Sequence, residues 1–252
     1  MTERQYPFFD LIRSLMSWIL VGLVTIVFFP PTFFTILALL PFDRNRKNIH
    51  PLISLWAKTI LVVCPLMRIH LEGTHHLEQG RTYVLVANHQ SVADIIAVLH
   101  LKHPFKFIAK KDLFWIPFMG WALSLAGYIP LVRGTQRSGQ EAVKKARDYL
   151  KRGVSVLLFP EGTRSRDGKI HEFKAGAFKL ATETGVPVVP VVIHGTRNLI
   201  PKGSVVIGRR VEVIVQVGEP RFSSRKGTSS IESFCDEVRS EMIHSLDEVH
   251  SV

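Results

Sequence analysis

The segment Asn88-His89-Gln90-Ser91-Val92-Ala93-Asp94 contains the residue types of a general base and its carboxylate partner. It follows the apolar run Tyr83–Ala87, which predicts a strand, and precedes a predicted helix over Asp94–Leu101. Residues five apart on one helix point about 140° away from each other. We therefore expect His89 in the loop and Asp94 in the first helical turn, from which it can reach back. An imidazole oriented by a carboxylate can take a proton from a hydroxyl near neutral pH.

A second interpretation of this segment involves no catalysis. Ser91-x-x-Asp94 also fits an N-terminal capping box, in which the two side chains satisfy backbone N–H groups of the first turn. In that case His89 is a bystander. The residues alone leave both interpretations open.

The segment Phe159-Pro160-Glu161-Gly162-Thr163-Arg164-Ser165 ends the most apolar run of the chain, Val154–Phe159, which predicts a strand buried on both faces. A Glu and an Arg beside a glycine can form a polar loop that binds a phosphate or hydroxyls. Arg164 can hold a phosphate through two parallel hydrogen bonds. The alternative is an ordinary solvated turn.

Two further segments are weaker signals by themselves. Gly127–Arg133 predicts an apolar strand that ends in Arg133, and a lone arginine after a strand is usually a surface charge. Val186–Ile193 predicts a core strand, and its prolines Pro187 and Pro190 favour an edge or an irregular position in the sheet.

Taken in this order, the four segments NHQSVAD, GYIPLVR, FPEGTRS and VPVVPVVI resemble the four blocks of the 1-acylglycerol-3-phosphate O-acyltransferase (lysophosphatidic acid acyltransferase) family. The stretch from Ala109 to Trp121 is also similar, and the resemblance covers about Arg68 to Val217. A His-x4-Asp pair alone is weak evidence, whereas four blocks in order with suitable spacing are strong evidence.

The resemblance implies that His89 takes the proton from the sn-2 hydroxyl of lysophosphatidic acid while Asp94 orients His89. The hydroxyl oxygen then attacks the thioester of acyl-CoA or of acyl-carrier protein, without a covalent acyl-enzyme and without a metal or cofactor. The remaining site residues that it implies are the acceptor-binding Arg133, Glu161, Gly162, Thr163 and Arg164 and the supporting Asn88 and Ser91.

Several alternatives stay open or are disfavoured. The acceptor could be another lysophospholipid or a lyso-ornithine lipid. A serine esterase is disfavoured, because Ser91 and Ser165 both lack the flanking glycines of a nucleophile elbow. A non-catalytic basic membrane binder is a further alternative. A nucleic-acid partner is not expected, since the sequence has no P-loop, zinc pattern or nucleic-acid-binding motif.

The elements that must position these residues begin with an apolar N-terminus. Residues 14–42 contain no charged side chain, and a stretch of that length could cross a bilayer. Pro30-Pro31 predicts a break between two helices, Ser14–Phe29 and Thr32–Phe42. Basic residues on both flanks favour a hairpin that enters and returns at the cytoplasmic face of a membrane, in a bacterium the inner membrane. They are Arg4, Arg13, Arg44, Arg46 and Lys47. A single kinked span is the alternative.

The rest of the chain alternates strands with helices, which predicts an α/β fold: a mixed, mainly parallel sheet flanked by helices. A helix over Leu52–Leu66 comes first. We divide the chain into a membrane-associating hairpin at 1–50 and an α/β acyltransferase domain at 51–252. The further predicted elements are strands at Phe105–Ala109 and Val211–Val217 and helices at Gly139–Arg152 and Ala175–Thr184, with a C-terminal helix that starts near Ile231.

Composition agrees with a membrane-surface enzyme without proving one. The 252 residues have a formal net charge of +11, which suits an anionic partner such as a phospholipid surface or a phosphorylated substrate. Two cysteines, Cys64 and Cys235, exclude a disulfide-stapled domain and a cysteine zinc cluster and favour a reducing compartment. The sequence does not indicate an oligomeric state.

Overall fold

The computed structural model describes residues 7–43, 45–223 and 230–250, with side chains up to residue 248 in the last range. The predicted basic flanks Arg4 and Arg44 lie outside the described residues.

Helices and strands alternate over most of this length. The strands are β1 (Met67–Glu72), β2 (Val84–Ala87), β3 (Phe105–Lys110), β4 (Ile129–Leu131), β5 (Ser155–Leu158), β6 (Val188–His194) and β7 (Val211–Val217). The helices are α1 (Phe8–Leu39), α2 (His50–Val63), α3 (Asp94–Val98), α4 (Met119–Leu125), α5 (Gln136–Lys151), α6 (Gly176–Thr184), α7 (Thr196–Leu199) and α8 (Ile231–His250). Short 3-10 turns lie at Thr74–His76 and Lys111–Trp115.

The seven strands form one sheet in the order β1-β7-β6-β2-β5-β3-β4. Five neighbours, β6, β2, β5, β3 and β4, run parallel, while β7 runs antiparallel to β6 and parallel to β1. This confirms the predicted mixed, mainly parallel α/β sheet. Because the parallel strands end at the same edge, the segments that follow β2, β4, β5 and β6 all leave the sheet at that edge.

Both faces of the sheet are covered. Along β2, Val84 and Val86 point to one face, where they pack with residues of α5, α6 and α8. Leu85 and Ala87 point to the other face, where they belong to the core cluster that includes residues of α1, α2 and α3. All four side chains are completely buried, as expected for a central strand of a layered α/β fold.

The predicted break at Pro30-Pro31 is wrong. α1 is one 32-residue helix, about 48 Å long, with both prolines inside it. Each proline removes one backbone hydrogen bond, but tertiary contacts hold the helix on both sides of the pair. Phe29 meets Phe118 and Trp121 at 5.5 and 5.6 Å between ring centroids, and Ile36 is completely buried in the core. The second apolar helix of this region is therefore α2, whose Trp56 donates a hydrogen bond to Thr25 of α1.

α1 is long and apolar enough to cross a membrane, and only 17% of its most apolar 18-residue window is buried. Large apolar side chains cover its outer side, for example Phe9 at 80% exposure and Val27 at 68%. By length and composition alone such a helix is weak evidence for membrane association. The division of the chain at residue 50 remains a prediction, and Ile36 and Ile49 share one core with the sheet.

Of the two positions that its prolines favoured, β6 takes the irregular one, because it lies between β7 and β2 and pairs irregularly with the segment after β7. Pro187 precedes its first residue, and Pro190 lies opposite a bulge in the segment after β7, where the ladder is interrupted. β6 forms the antiparallel pairs Val188↔Arg221 and Val191↔Val217. Between these pairs the segment after β7 has one residue more than β6, and this extra residue makes the bulge. The Pro190 carbonyl still accepts a hydrogen bond from Gly218.

Candidate active site

The segment after β2 brings His89 and Asp94 into direct contact. His89 lies in the loop and α3 begins at Asp94, although α3 ends at Val98 rather than at the predicted Leu101. The His89 Nδ1 and Asp94 Oδ2 atoms are 2.7 Å apart, and the Asp94 side chain is fully buried. The His89 side chain retains 11% exposure. With Nδ1 engaged by the carboxylate, Nε2 is the ring nitrogen that can take a proton from a substrate.

Asp94 also makes the contacts of a helix cap. Its Oδ2 atom accepts hydrogen bonds from the backbone N–H groups of Gln90 at 2.7 Å and Ser91 at 2.9 Å. The Ser91 hydroxyl in turn accepts from the Ala93 N–H at 3.1 Å, one residue short of the partner that a capping box requires, so Ser91 and Asp94 together satisfy the N–H groups of this turn. The two interpretations of this segment are therefore compatible, since one oxygen caps the turn and meets the imidazole.

The segment after β5 holds His89 from the other side. The His89 N–H donates to Glu161 Oε1 at 2.9 Å, and the His89 carbonyl accepts from the Ser165 N–H at 2.7 Å. The His89 ring stacks on Phe159, with 4.1 Å between ring centroids. The loops after these two neighbouring strands thus form one hydrogen-bonded unit around the imidazole.

Glu161 is 7% exposed, and its second oxygen accepts the backbone N–H of His171 at 3.2 Å. Burial raises the pKa of this carboxyl group, and the two N–H donors from His89 and His171 lower it. Its observed contacts position the loop. An acceptor-binding role for Glu161 remains a prediction.

The rest of the same loop presents cations and a glycine with a left-handed backbone conformation. Gly162 has φ +70°, a left-handed conformation that favours glycine, and an added Cβ would lie 3.1 Å from Nζ of Lys174. Thr163 is exposed and Arg164 is half-buried. Arg133, which follows β4, is exposed, and its pKa is lowered by partial burial and by repulsion from Arg164. The charges of Arg133 and Arg164 are thus close enough to repel each other.

Asn88 and Ser91 connect this edge of the sheet. The Asn88 amide exchanges two hydrogen bonds with the backbone of Ile193, at 2.9 and 2.7 Å, and so continues the pairing of β2 with β6 beyond the strand end. The Ser91 hydroxyl donates to the Ile200 carbonyl at 2.8 Å. Both residues position the His89 loop in this structure, and their predicted supporting role in the reaction remains a prediction.

Comparison with known proteins shows the family. The model of the family described as "Acyltransferase" matches residues 68–194. The chain belongs to the acyltransferase family. A solved structure of the 1-acyl-sn-glycerophosphate (LPA) acyltransferase PlsC from Thermotoga maritima superposes with a TM-score of 0.79 at 30% identity and covers 96% of this chain and 98% of its own.

Curated relatives of this acyltransferase carry the same type of name. The chain is 41% identical over 208 residues to 1-acyl-sn-glycerol-3-phosphate acyltransferase LPAT1, chloroplastic, of Arabidopsis thaliana, which covers 82% of this chain. It is 39% identical over 208 residues to 1-acyl-sn-glycerol-3-phosphate acyltransferase BAT2, chloroplastic, of Brassica napus. The chain spans 56% and 58% of the length of these two plant proteins.

Sequence reasoning missed Thr196, whose hydroxyl donates to the second Asp94 oxygen, Oδ1, at 2.5 Å. Thr196 is completely buried and follows Gly195, which has φ +91° and whose added Cβ would lie 2.2 Å from the Glu212 carbonyl oxygen. The sequence feature that could have pointed to Thr196 is the Gly-Thr pair shortly after the fourth block. Its contact with Asp94 requires the pairing of β6 with β2, which the sequence did not indicate.

The two cysteines of the acyltransferase do not lie in this site. Cys64 and Cys235 are both buried, and Cys235 belongs to α8, on the opposite face of the sheet from α3. Burial raises the pKa of the Cys235 thiol to about 11. A buried thiol of this kind is a poor nucleophile at neutral pH. Among the described residues, no group of three or more His, Cys, Asp or Glu side chains could hold a metal ion.

Proposed function

We propose that this protein transfers an acyl group from acyl-CoA or acyl-carrier protein to the sn-2 hydroxyl of lysophosphatidic acid, which yields phosphatidic acid. The observation that carries the proposal is the 2.7 Å contact between His89 and Asp94. Arg133 follows β4 and Arg164 follows β5, at the same edge of the sheet, and their charges repel each other. A base for a hydroxyl thus lies beside cations that suit a phosphate. The names of the similar proteins support the same acceptor.

In this reaction His89 is the general base. Its Nε2 takes the proton of the acceptor hydroxyl while that oxygen attacks the thioester carbonyl carbon, and the negative charge of Asp94 stabilises the imidazolium that forms. The new C–O bond is completed as the C–S bond breaks, and His89 returns the proton to the departing thiolate. No redox partner is needed, since the thioester supplies the acyl group and the thiol leaves.

Direct transfer requires no acyl-enzyme, and the chain's own residues support this route. A covalent route would need a nucleophile beside His89. The thiols of Cys64 and Cys235 are buried, and the Ser91 hydroxyl already donates to the Ile200 carbonyl.

The acceptor is an amphiphile that resides in a bilayer, and the protein has the surface to meet it. The exposed apolar side of α1 suits the hydrocarbon region, and the net charge of +11 attracts an anionic lipid surface and a phosphate-bearing donor. We propose attachment to the cytoplasmic face of a membrane, where acyl-CoA and acyl-carrier protein are found.

The test is product formation by purified protein in detergent with labelled acyl-CoA and lysophosphatidic acid. We expect phosphatidic acid from the wild-type protein and from His244→Ala, a matched control for an exposed histidine on α8. We expect a loss of at least about 100-fold in His89→Ala, the usual contribution of a positioned base.

Parallel reactions with acyl-carrier protein as donor and with lysophosphatidylcholine or lyso-ornithine lipid as acceptor decide the substrates. If the wild type forms no more diacyl product than His89→Ala with every pair, the protein is not this acyltransferase. A preference for a different acceptor would replace lysophosphatidic acid but keep the mechanism.

A further inference from the structure

Lys202 reaches the same site from a part of the chain outside the four sequence blocks. It lies in the loop between α7 and β7, which we call the 200–208 loop. Its Nζ donates to the Arg164 carbonyl at 2.6 Å and to the Thr163 hydroxyl at 3.0 Å. An ammonium group has three N–H donors, so one remains for a ligand.

The charge around Lys202 is positive and poorly compensated. Partial burial lowers the pKa of Lys202, and repulsion from Arg166, Arg164 and Arg133 lowers it further. Glu161 is the acid that opposes this effect. Its two oxygens already accept backbone N–H groups, from His89 and His171. A group of cations held close together in this way suits a ligand with more than one negative charge.

We propose that Lys202 binds the phosphate of the acceptor directly, together with Arg133 and Arg164. This inference rests on the proposed function and adds a residue that sequence reasoning did not identify. A phosphomonoester has a charge of about −1.5 to −2 at pH 7 and three acceptor oxygens, which matches three converging cationic donors.

The apolar helix α1 positions the 200–208 loop. The Ser14 hydroxyl, which is buried, accepts the Ile207 N–H at 2.9 Å, and Arg13 donates to the Ile207 carbonyl at 2.9 Å. Trp18 donates from Nε1 to the Val205 carbonyl at 2.8 Å. Three side chains on the N-terminal half of α1 therefore hold the loop that delivers Lys202.

The experiment compares lysophosphatidic acid with its phosphate monomethyl ester, whose phosphate can carry only one negative charge. We expect Lys202→Met to raise the KM for lysophosphatidic acid about 10- to 30-fold with kcat within about twofold, the usual effect of one hydrogen bond to a charged group. We expect wild type to prefer the dianionic acceptor and Lys202→Met to lose about tenfold of that preference. Lys202→Arg should restore most of both. The control is Lys151→Met, the same charge change at the end of α5, where the chain turns toward the opposite edge of the sheet.

The acceptor pair separates phosphate binding from a structural role. If Lys202 only held the Arg164 loop, adding Lys202→Met to Arg164→Ala would not lower the preference for the dianionic acceptor any further, and this result would overturn the proposal. A wild-type KM in Lys202→Met would overturn it as well. Absence of activity in the wild type would instead refute the proposed function.

Ser14→Ala tests the positioning by α1, because it removes the acceptor for the Ile207 N–H. In detergent, where attachment to a membrane plays no part, we expect a KM for lysophosphatidic acid raised about threefold or more and an unchanged KM for the acyl donor. Ser17→Ala, another buried serine on α1, is the matched control. An unchanged acceptor KM in Ser14→Ala would refute the positioning by α1.

Discussion

Replacement of Asp94 by Asn removes the charge of the carboxylate and keeps its shape. The Asn side-chain oxygen can occupy the Oδ2 position and accept from His89 Nδ1 and from the N–H groups of Gln90 and Ser91. The Asn amide nitrogen can then donate to the Thr196 hydroxyl, which now donates to Oδ1. We therefore expect the fold to survive while the imidazolium loses its counter-charge.

The size of the effect follows from the geometry. A 2.7 Å hydrogen bond between nitrogen and oxygen places the centres of the two charges about 4 Å apart. At an effective dielectric constant of about 20, their attraction is about 4 kcal/mol. Since each 1.36 kcal/mol in the barrier is tenfold in rate, kcat should fall about 1000-fold in Asp94→Asn.

The assay is initial-rate formation of phosphatidic acid by the purified variant, with thermal unfolding in the same detergent as the check on folding. Ser91→Ala is the matched control for capping. It removes the hydroxyl that accepts from the Ala93 N–H and donates to the Ile200 carbonyl, so it should cost about 2 kcal/mol of unfolding free energy and, because the Asp94 charge remains, lower kcat at most about tenfold. A kcat of Asp94→Asn within tenfold of wild type would refute the electrostatic role of Asp94 and leave only capping.

Three other predictions follow from the described geometry. Arg164→Ala should raise the KM for lysophosphatidic acid about tenfold or more at nearly constant kcat; a change confined to the KM of the acyl donor would contradict its phosphate role. Val27→Arg with Phe34→Arg, both on the exposed side of α1, should reduce co-sedimentation with uncharged zwitterionic vesicles severalfold, and unchanged sedimentation would assign the attachment elsewhere. The pKa of His50 is lowered to about 4, first by burial and then by repulsion from Lys106, so the unfolded chain binds the extra proton first as pH falls below about 6.5. This costs about 3 kcal/mol of stability by pH 4, and His50→Phe should remove that part of the acid sensitivity in unfolding measured at pH 7 and pH 4.5; an unchanged pH dependence would contradict the assignment.

The sequence predicted the parts of the site that depend on short-range order. His89 and Asp94 belong to one strand-loop-helix unit, so their contact could be expected from seven residues. The same holds for the loop from Glu161 to Arg164, because a buried apolar strand leads directly into it. The parallel edge on which the two loops meet followed from the alternation of strands with helices.

Contacts between distant segments could not be predicted in this way. Thr196 meets Asp94 across 102 positions of the chain, and Lys202 meets Arg164 across 38. Both contacts depend on the strand order and on the path of a loop that carries no periodic pattern. The central place of β6 likewise depends on its pairing with β2, about 100 positions earlier in the chain.

The break at Pro30-Pro31 was predicted from a rule that holds for an isolated helix. Two lost hydrogen bonds favour a break only when nothing else fixes the direction of the chain. Here Phe29 packs on α4 and Ile36 is buried against the sheet, so the contacts on both sides of the prolines outweigh the local cost.

The unbroken course of α1 makes it a rigid spacer between two distant attachments. Trp18 is hydrogen-bonded to the 200–208 loop, and Phe29 packs on Phe118 next to α4. The two residues are eleven positions apart on the helix, which is about 16 Å. Deleting one residue between them would turn one end by about 100° relative to the other. Both attachments could not then be made at once, so the length of this stretch of α1 is constrained as strictly as the identity of the side chains at its ends.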